Sequence, residues 1–256
     1  MLIFIGALLG AFFGGFGGLI IGALIGHASG YALRRFVVGG LQIAQSHLLD
    51  STFSIMGALC KADNVVSRDE INAVEQIFGM LKLQGESRER AKAAFNRGKQ
   101  PGFDLDAAVD QFAKISRGRG PLLQLFLQLQ CMAVTADGRI DPAEHAMLVR
   151  IAQRLGLTEA DVSQLEALLR AAMGGPSASG QPTQDRLDDA YVALGITKDA
   201  NPAEIKRAYR KLMSQNHPDK LASKGLPESM RPVAEERSRE INSAYDIIKA
   251  ARPDVR

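Results

Sequence analysis

The chain has 256 residues, 31 Lys+Arg against 28 Asp+Glu, 46% hydrophobic residues and two cysteines. That length holds one large domain or two small ones. Two cysteines exclude a disulfide-rich scaffold and a four-cysteine zinc site, and a net charge of +3 does not by itself make a nucleic-acid binder.

No Asp, Glu, Lys or Arg precedes Arg34, and the run from Leu2 to Leu33 is almost wholly apolar, with only His27, Ser29 and Tyr31 markedly polar. A membrane-crossing helix needs about 20 such residues. The pattern predicts a transmembrane anchor over residues 1–33, spanning about Phe4 to Ala28, with Tyr31, Arg34 and Arg35 at the interface. The surplus length implies tilt or an interfacial tail. A cleavable signal peptide needs a basic stretch before a shorter apolar core, and this run has neither property. The Arg34-Arg35 pair belongs on the cytoplasmic side, which sets the N-terminus in the periplasm and residues 34 onward in the cytoplasm. Cys60 and Cys131 are then expected as reduced thiols. Gly6, Gly10, Gly14, Gly18, Gly22, Gly26 and Gly30 fall at every fourth residue. Glycine is common in membrane helices, but a stripe in register lets two backbones pack closely within lipid and predicts a homodimer.

From Leu41 to Met173 the apolar residues recur at helical period. Leu49, Phe53, Met56 and Cys60 form one face, Leu122, Leu125, Phe126 and Leu129 a second, and Leu148, Ile151, Ala152 and Leu155 a third. Residues 62–70 repeat at 136–144, an offset of 74, which predicts two related helix–turn–helix units in one bundle. The acidic residues Asp63, Glu70, Asp137, Asp141 and Glu144 are the candidates for a hard metal ion. Their spacing is not that of a calcium loop, and the capping reading is the stronger. Ser67-x-x-Glu70 is a capping box; Asp141 is an N-cap, with Pro142 at the first helical position and Glu144 three residues on. No metal or other cofactor is expected. The doubled Ala-Asp-Asn/Gly signature resembles the TerB-like domain of tellurite-resistance proteins over about residues 50–170, which implies an all-helical fold.

Residues 174–184 lack any large apolar side chain and read as a flexible linker. Three amphipathic helices are predicted within residues 185–256. The first carries Leu187, Ala190, Tyr191 and Leu194. The second follows Asn201-Pro202, an N-cap and an N1 proline, and carries Ile205, Ala208, Tyr209, Leu212 and Met213. The third carries Ala234, Ile241, Ala244, Tyr245 and Ile248. The last two form an antiparallel hairpin. On the outer side of the second helix lie Lys206, Arg207, Arg210 and Lys211, opposed only by Glu204. His217-Pro218-Asp219 follows, and Pro218 ends the helix. As a catalytic dyad His217 and Asp219 lack a nucleophile, so no enzyme activity is assigned. The charged run alone is equally a solvated face.

Tyr191-x-x-Leu194-Gly195-Ile196, Ile205-Lys206-x-Ala208-Tyr209-Arg210-Lys211-Leu212, His217-Pro218-Asp219-Lys220 and Glu240-Ile241-Asn242-x-Ala244-Tyr245 resemble the J domain of DnaJ co-chaperones. The resemblance covers residues 185 to about 251. It implies that His217, Pro218 and Asp219, with Lys206, Arg207, Arg210 and Lys211, bind a DnaK-type chaperone and stimulate its ATP hydrolysis. One departure is Ser238, where many J domains have Phe; another is a long loop before the third helix. The glycine/phenylalanine-rich stretch and zinc module of general DnaJ proteins are absent.

The predicted fold is all-α: an anchor, a TerB-like bundle with an internal repeat, and a J domain. That order resembles membrane-anchored DnaJ-like co-chaperones and implies a stress-response protein of the bacterial inner membrane, with lipid and a DnaK-type chaperone as partners and no nucleic acid. Two alternatives stand beside it. One is a metal- or stress-sensing membrane protein with the J domain as output. The other is a basic adaptor that binds nucleic acid or anionic lipid through the second helix.

Overall fold

The computed structural model describes residues 4, 12, 27, 46–62, 66–116, 120–135, 140–173, 183–224 and 226–255. The chain divides into two units, residues 1–48 and 49–256. In the first unit Phe4, Phe12 and His27 are helical and exposed; the rest of the expected span and the glycine stripe lie outside the described residues. Among the described residues no helix is long and apolar enough to cross a membrane. All regular structure among them is helical, as the periodicity predicts.

The second unit opens within a helix covering residues 46–59 (α1). Phe53, Ile55, Met56 and Leu59 of α1 are fully buried, and the Phe53 ring meets Phe78 of α2 (Arg68–Met80) at 4.9 Å. α3 (Gly85–Gly98) crosses α1 with the two backbones touching. A Cβ on Gly98 would stand 1.8 Å from the Ser54 carbonyl oxygen, and one on Gly57 2.0 Å from that of Phe95. Only glycine permits such an approach.

Both repeat loops start a helix with the expected cap. The Ser67 hydroxyl accepts from the Glu70 N–H at 3.1 Å, and the Glu70 carboxylate accepts from the Ser67 N–H at 2.7 Å. At α6 (Pro142–Arg154) the Asp141 carboxylate accepts from the Ala143 N–H at 2.8 Å and Glu144 accepts from the Asp141 N–H at 3.0 Å. These reciprocal bonds satisfy N–H groups that a helix start leaves without intrahelical partners. Asp63 and Asp137 lie outside the described residues. Among the described residues no three His, Cys, Asp or Glu side chains gather to hold a metal ion.

α5 (Gly120–Val134) is the central helix of the bundle. Its sequence period predicts one apolar face, but α2, α4 (Leu105–Ser116), α6 and α7 (Glu159–Met173) pack around it and bury nearly every residue from Leu122 to Val134. A helix apolar on most sides becomes a core helix. The Phe126 ring of α5 lies 3.9 Å from that of Phe112 in α4. Cys60 and Cys131 are free and buried. Burial first, then the nearby Glu70 carboxylate for Cys60 and Glu166 for Cys131, pushes both thiols well above their ordinary range, so neither is a nucleophile.

Three more helices and a short one complete the unit. Thr183 and Gln184, which composition assigns to the end of the linker, cap and open α8 (Gln184–Leu194). Gly195 ends α8 at φ +67°, a left-handed position suited to glycine. α9 (Pro202–Asn216) begins with a capping box between Asn201 and Glu204. The segment expected as a loop after His217 instead contains a short helix, α10 (Pro218–Ser223), because Pro218 suits the first helical position as well as it ends the preceding helix. α11 (Arg231–Ala251) then returns along α9. Ser238 near its start donates to the Asn216 carbonyl at the end of α9, and Arg252 past its end donates to Ala200 before α9 begins. The pair is therefore an antiparallel hairpin, as predicted.

The hairpin does not have a core of its own. One apolar cluster unites Ala167, Leu168 and Ala171 of α7 with Ala190, Tyr191 and Leu194 of α8, Ile205 of α9, and Ile241, Ala244 and Ile248 of α11. Polar contacts clasp the same seam. Arg170 donates to Asp189 at 3.0 and 3.1 Å, Arg186 to the Ala171 carbonyl at 3.0 Å, and Gln164 to the Ala193 carbonyl at 2.9 Å. Deeper in, Gln128 of α5 donates to Glu240 of α11 at 2.8 Å and accepts from Arg237 at 3.4 Å. Burial pushes the Glu240 carboxyl up to about 7; Glu236 adds to the rise, while Arg237, Gln128 and Arg239 oppose it.

Leu168→Ala removes a side chain from the shared cluster and is expected to cost about 2–4 kcal/mol. Urea unfolding followed by circular dichroism should show one weakened transition covering both halves of the unit. For Glu240, the folded state keeps a proton that the unfolded chain has released between pH 4.5 and about 7. Stability therefore falls as pH rises through that window, by up to roughly 3 kcal/mol, and levels off above it. Glu240→Gln should flatten this slope in unfolding curves taken across the same range.

Candidate functional site

The hairpin places the His-Pro-Asp triplet at the turn that follows α9. α9 stops at Asn216 because Pro218 cannot continue it. Asn216 is buried and its amide donates to the Leu212 carbonyl at 2.8 Å. Ser238 donates to the carbonyls of Asn216 and of Ala234, at 3.4 and 3.0 Å. The residue that departs from the usual Phe thus ties α11 to the end of α9 by hydrogen bonds. Pro218 and Leu221 are buried, which fixes the turn from below. His217 and Asp219 stand outward, with 51% and 69% of their side-chain surface exposed. The Asp219 N–H donates to His217 Nδ1 at 3.3 Å.

Arg231, at the start of α11, donates to the Asp219 carboxylate at 3.1 Å and to Glu235 at 3.0 Å. Its hydrogen bond to Glu235, with Asp219 and Glu228 nearby, raises its pKa above the ordinary arginine range. Sequence reasoning passes over Arg231. No periodic signal links residues 12 apart across a loop and a short helix. Lys220 donates to Ser214 at 2.5 Å and holds the start of α10 to the last turn of α9.

The four cations of α9 differ in their surroundings. Arg207 and Arg210 are exposed, and with His217 they lie along one side at helical spacing. Lys206 is partly buried. Lys211 is exposed but lies on the flank that faces α5 and α7 across a cleft. Below them, Tyr209 donates to Asn242 at 2.8 Å, and its ring stacks on Tyr245 at 4.2 Å with an interplanar angle of 14°. These contacts join the motif residues of α9 and α11 and hold the register of the hairpin.

A basic helix and an antiparallel partner presenting an exposed His-Pro-Asp turn define a J-domain protein of the co-chaperone class. Two protein families match the chain: Tellurite resistance protein TerB over residues 50–167 and the DnaJ domain over residues 189–253. The chain is 37% identical over 220 residues to the co-chaperone protein DjlA of Shewanella oneidensis, covering 84% of this chain and 82% of that one. It is 39% identical over 215 residues to the DjlA of Photobacterium profundum, covering 80% and 78%, and 40% identical over 224 residues to that of Vibrio vulnificus, with the same coverage. No solved structure matches it. The chain belongs to the DjlA co-chaperone family, with a TerB domain followed by a J domain.

Tyr209→Phe deletes the hydroxyl that bonds Asn242 and keeps the stacked ring. It is expected to cost about 1 kcal/mol. Urea midpoints should fall accordingly, and the amide resonances of Asn216, His217, Asp219 and Lys220 should shift as the hairpin register loosens.

Proposed function

We propose that this co-chaperone binds a DnaK-type chaperone through His217, Pro218 and Asp219 and the basic side of α9, and that it stimulates the partner's ATP hydrolysis. The observation that carries the reading is the outward His217 and Asp219 on a turn fixed by buried Pro218, beside exposed Arg207 and Arg210. Cationic side chains on a rim steer an acidic partner and speed its encounter, an effect that weakens with salt. Lys206 and Lys211 extend the same positive field. On this reading the chain regulates another protein's enzyme activity.

The apolar segment over residues 1–33 would tether the protein to the bacterial inner membrane, with the N-terminus periplasmic and both domains cytoplasmic. Its glycine stripe (Gly6, Gly10, Gly14, Gly18, Gly22, Gly26) would pair two chains in lipid. Tethering raises the concentration of J domains where membrane-associated clients reside.

The test is single-turnover ATP hydrolysis by the cognate DnaK-type chaperone with residues 41–256. Wild type should accelerate hydrolysis, and His217→Gln should return it to the basal rate. Charge reversal at Arg207 and Arg210 should lower the stimulation by about tenfold and remove its salt dependence. An adaptor for nucleic acid or anionic lipid would lose binding on charge reversal but ignore His217→Gln. Equal stimulation by wild type and His217→Gln would defeat the proposal. So would no stimulation by folded protein, whether soluble or full length in lipid.

A further inference from the structure

Asp219 is the most exposed member of the triplet, yet one oxygen of its carboxylate is held from outside the motif. An exposed side chain on a short helix ordinarily moves among its rotamers within nanoseconds. Two contacts restrict this one. The Asp219 N–H donates to His217 Nδ1 at 3.3 Å, which ties down the main chain. Arg231 donates to Oδ1 at 3.1 Å, which ties down the carboxylate. Oδ2 lies 3.9 Å from His217 Nδ1 and accepts no hydrogen bond among the described residues.

The chain around Arg231 sets its direction. Met230 before it is buried, and Pro232 after it lies in the first turn of α11. α10, which carries Asp219, packs on α11. The Arg231 Nε–H donates to Glu235, one turn further along α11, at 3.0 Å. The guanidinium is therefore anchored to its own helix by one nitrogen and reaches Asp219 with another. Its planar, fixed fork of donors carries direction as well as charge, whereas an ammonium is a point charge. Among the described lysines and arginines, Arg231 is the one paired with Asp219. Lys220, next in sequence, donates to Ser214 instead. An exposed ion pair of this kind adds little to stability. What it fixes is the orientation of a carboxylate.

We propose that Arg231 is a positioning residue of the triplet: it holds Oδ1 of Asp219 and so leaves Oδ2 turned to a hydrogen-bond donor or cation of the chaperone. Glu235 acts one step further back, by steering the guanidinium. The inference rests on the chaperone reading above and adds to it a residue that lies outside both the triplet and the basic side of α9.

The test has two arms, both on the full chain in non-ionic detergent. The first uses no chaperone. Three-bond NMR couplings to Cγ of Asp219 report its χ1 angle. Wild type should show one rotamer, Arg231→Gln should show averaging, and Arg231→Lys should keep part of the preference. Averaging in wild type, or one rotamer retained in Arg231→Gln, would overturn the proposal. The second arm is single-turnover ATP hydrolysis by the chaperone across co-chaperone concentrations. Arg231→Gln should lower the maximal stimulation by about two- to fivefold, the range of an exposed charge pair, and leave the half-saturating concentration unchanged. Arg231→Lys and Glu235→Gln should fall between that variant and wild type, with urea midpoints close to wild type in all three. An unchanged maximum with a raised half-saturating concentration would make Arg231 one more steering cation and overturn its positioning role. Stimulation by wild type and Arg231→Gln alike would defeat this inference alone. No stimulation by a wild type whose Asp219 keeps one rotamer would defeat the chaperone reading, and this inference with it.

Discussion

The packing of α7 against α8 is the constraint on which the rest of this structure depends. Ala167 and Ala171 on one helix meet Ala190 and Ala193 on the other. Short side chains at a crossing let two helices come close. The larger Leu168, Tyr191 and Leu194 fill the space on either side. Because α8 also packs against α11, one helix belongs to two layers at once. The J domain is therefore built onto the bundle, and the His-Pro-Asp turn has a fixed position relative to α5 and α7.

This arrangement explains the buried polar groups of the seam. Gln128, Arg237 and Glu240 would be ordinary surface residues on a free bundle or a free J domain. In the joined unit all three are buried. Burying a carboxylate with one amide partner costs free energy, which appears as the raised pKa of Glu240. The apolar cluster around Leu168 and Ile241 must offset that cost. Polar groups of this kind contribute little net stability, but they penalise any slip in register, because a slip leaves each of them unpaired. Arg170 and Asp189 act in the same sense at the half-exposed edge of the seam.

Features whose physics is local were legible in the sequence. The capping boxes at Ser67, Asp141 and Asn201 need only residues three apart. Pro218 ends one helix through its own ring, and the period of Ile205, Tyr209, Leu212, Ile241 and Tyr245 reveals the hairpin. The place of the triplet at the end of α9 followed from that pattern, whereas its meaning rested on the resemblance to J domains. Features whose physics is long-range were hidden. Gln128 and Glu240 are 112 residues apart, and nothing in either neighbourhood marks a buried partner. The apolar residues of α8 fit a single face, which gave no sign that α7 would share it. The composition of residues 174–184 describes a spacer, whereas the helices on either side of it pack together. The short helix α10 was missed because Pro218 reads as a stop signal before it reads as a start.

A J domain fixed to its bundle changes what its basic helix can present. On a free hairpin the four cations of α9 would form one field open to solvent on every side. Here α5 and α7 stand along one flank, so Lys211 faces the cleft while Arg207 and Arg210 keep the open side. On the proposed reading, a partner approaching the His-Pro-Asp turn would meet the two arginines directly and Lys211 from the edge. Exposed arginines separated by one turn form hydrogen bonds to acidic groups with defined geometry, whereas a lysine's compact ammonium contributes chiefly long-range attraction. The bundle thus does more than carry the J domain. By covering one side of α9 it sets which of the helix's cations face open solvent and which face the cleft, and it does so through the same α7–α8 seam that holds the turn in place.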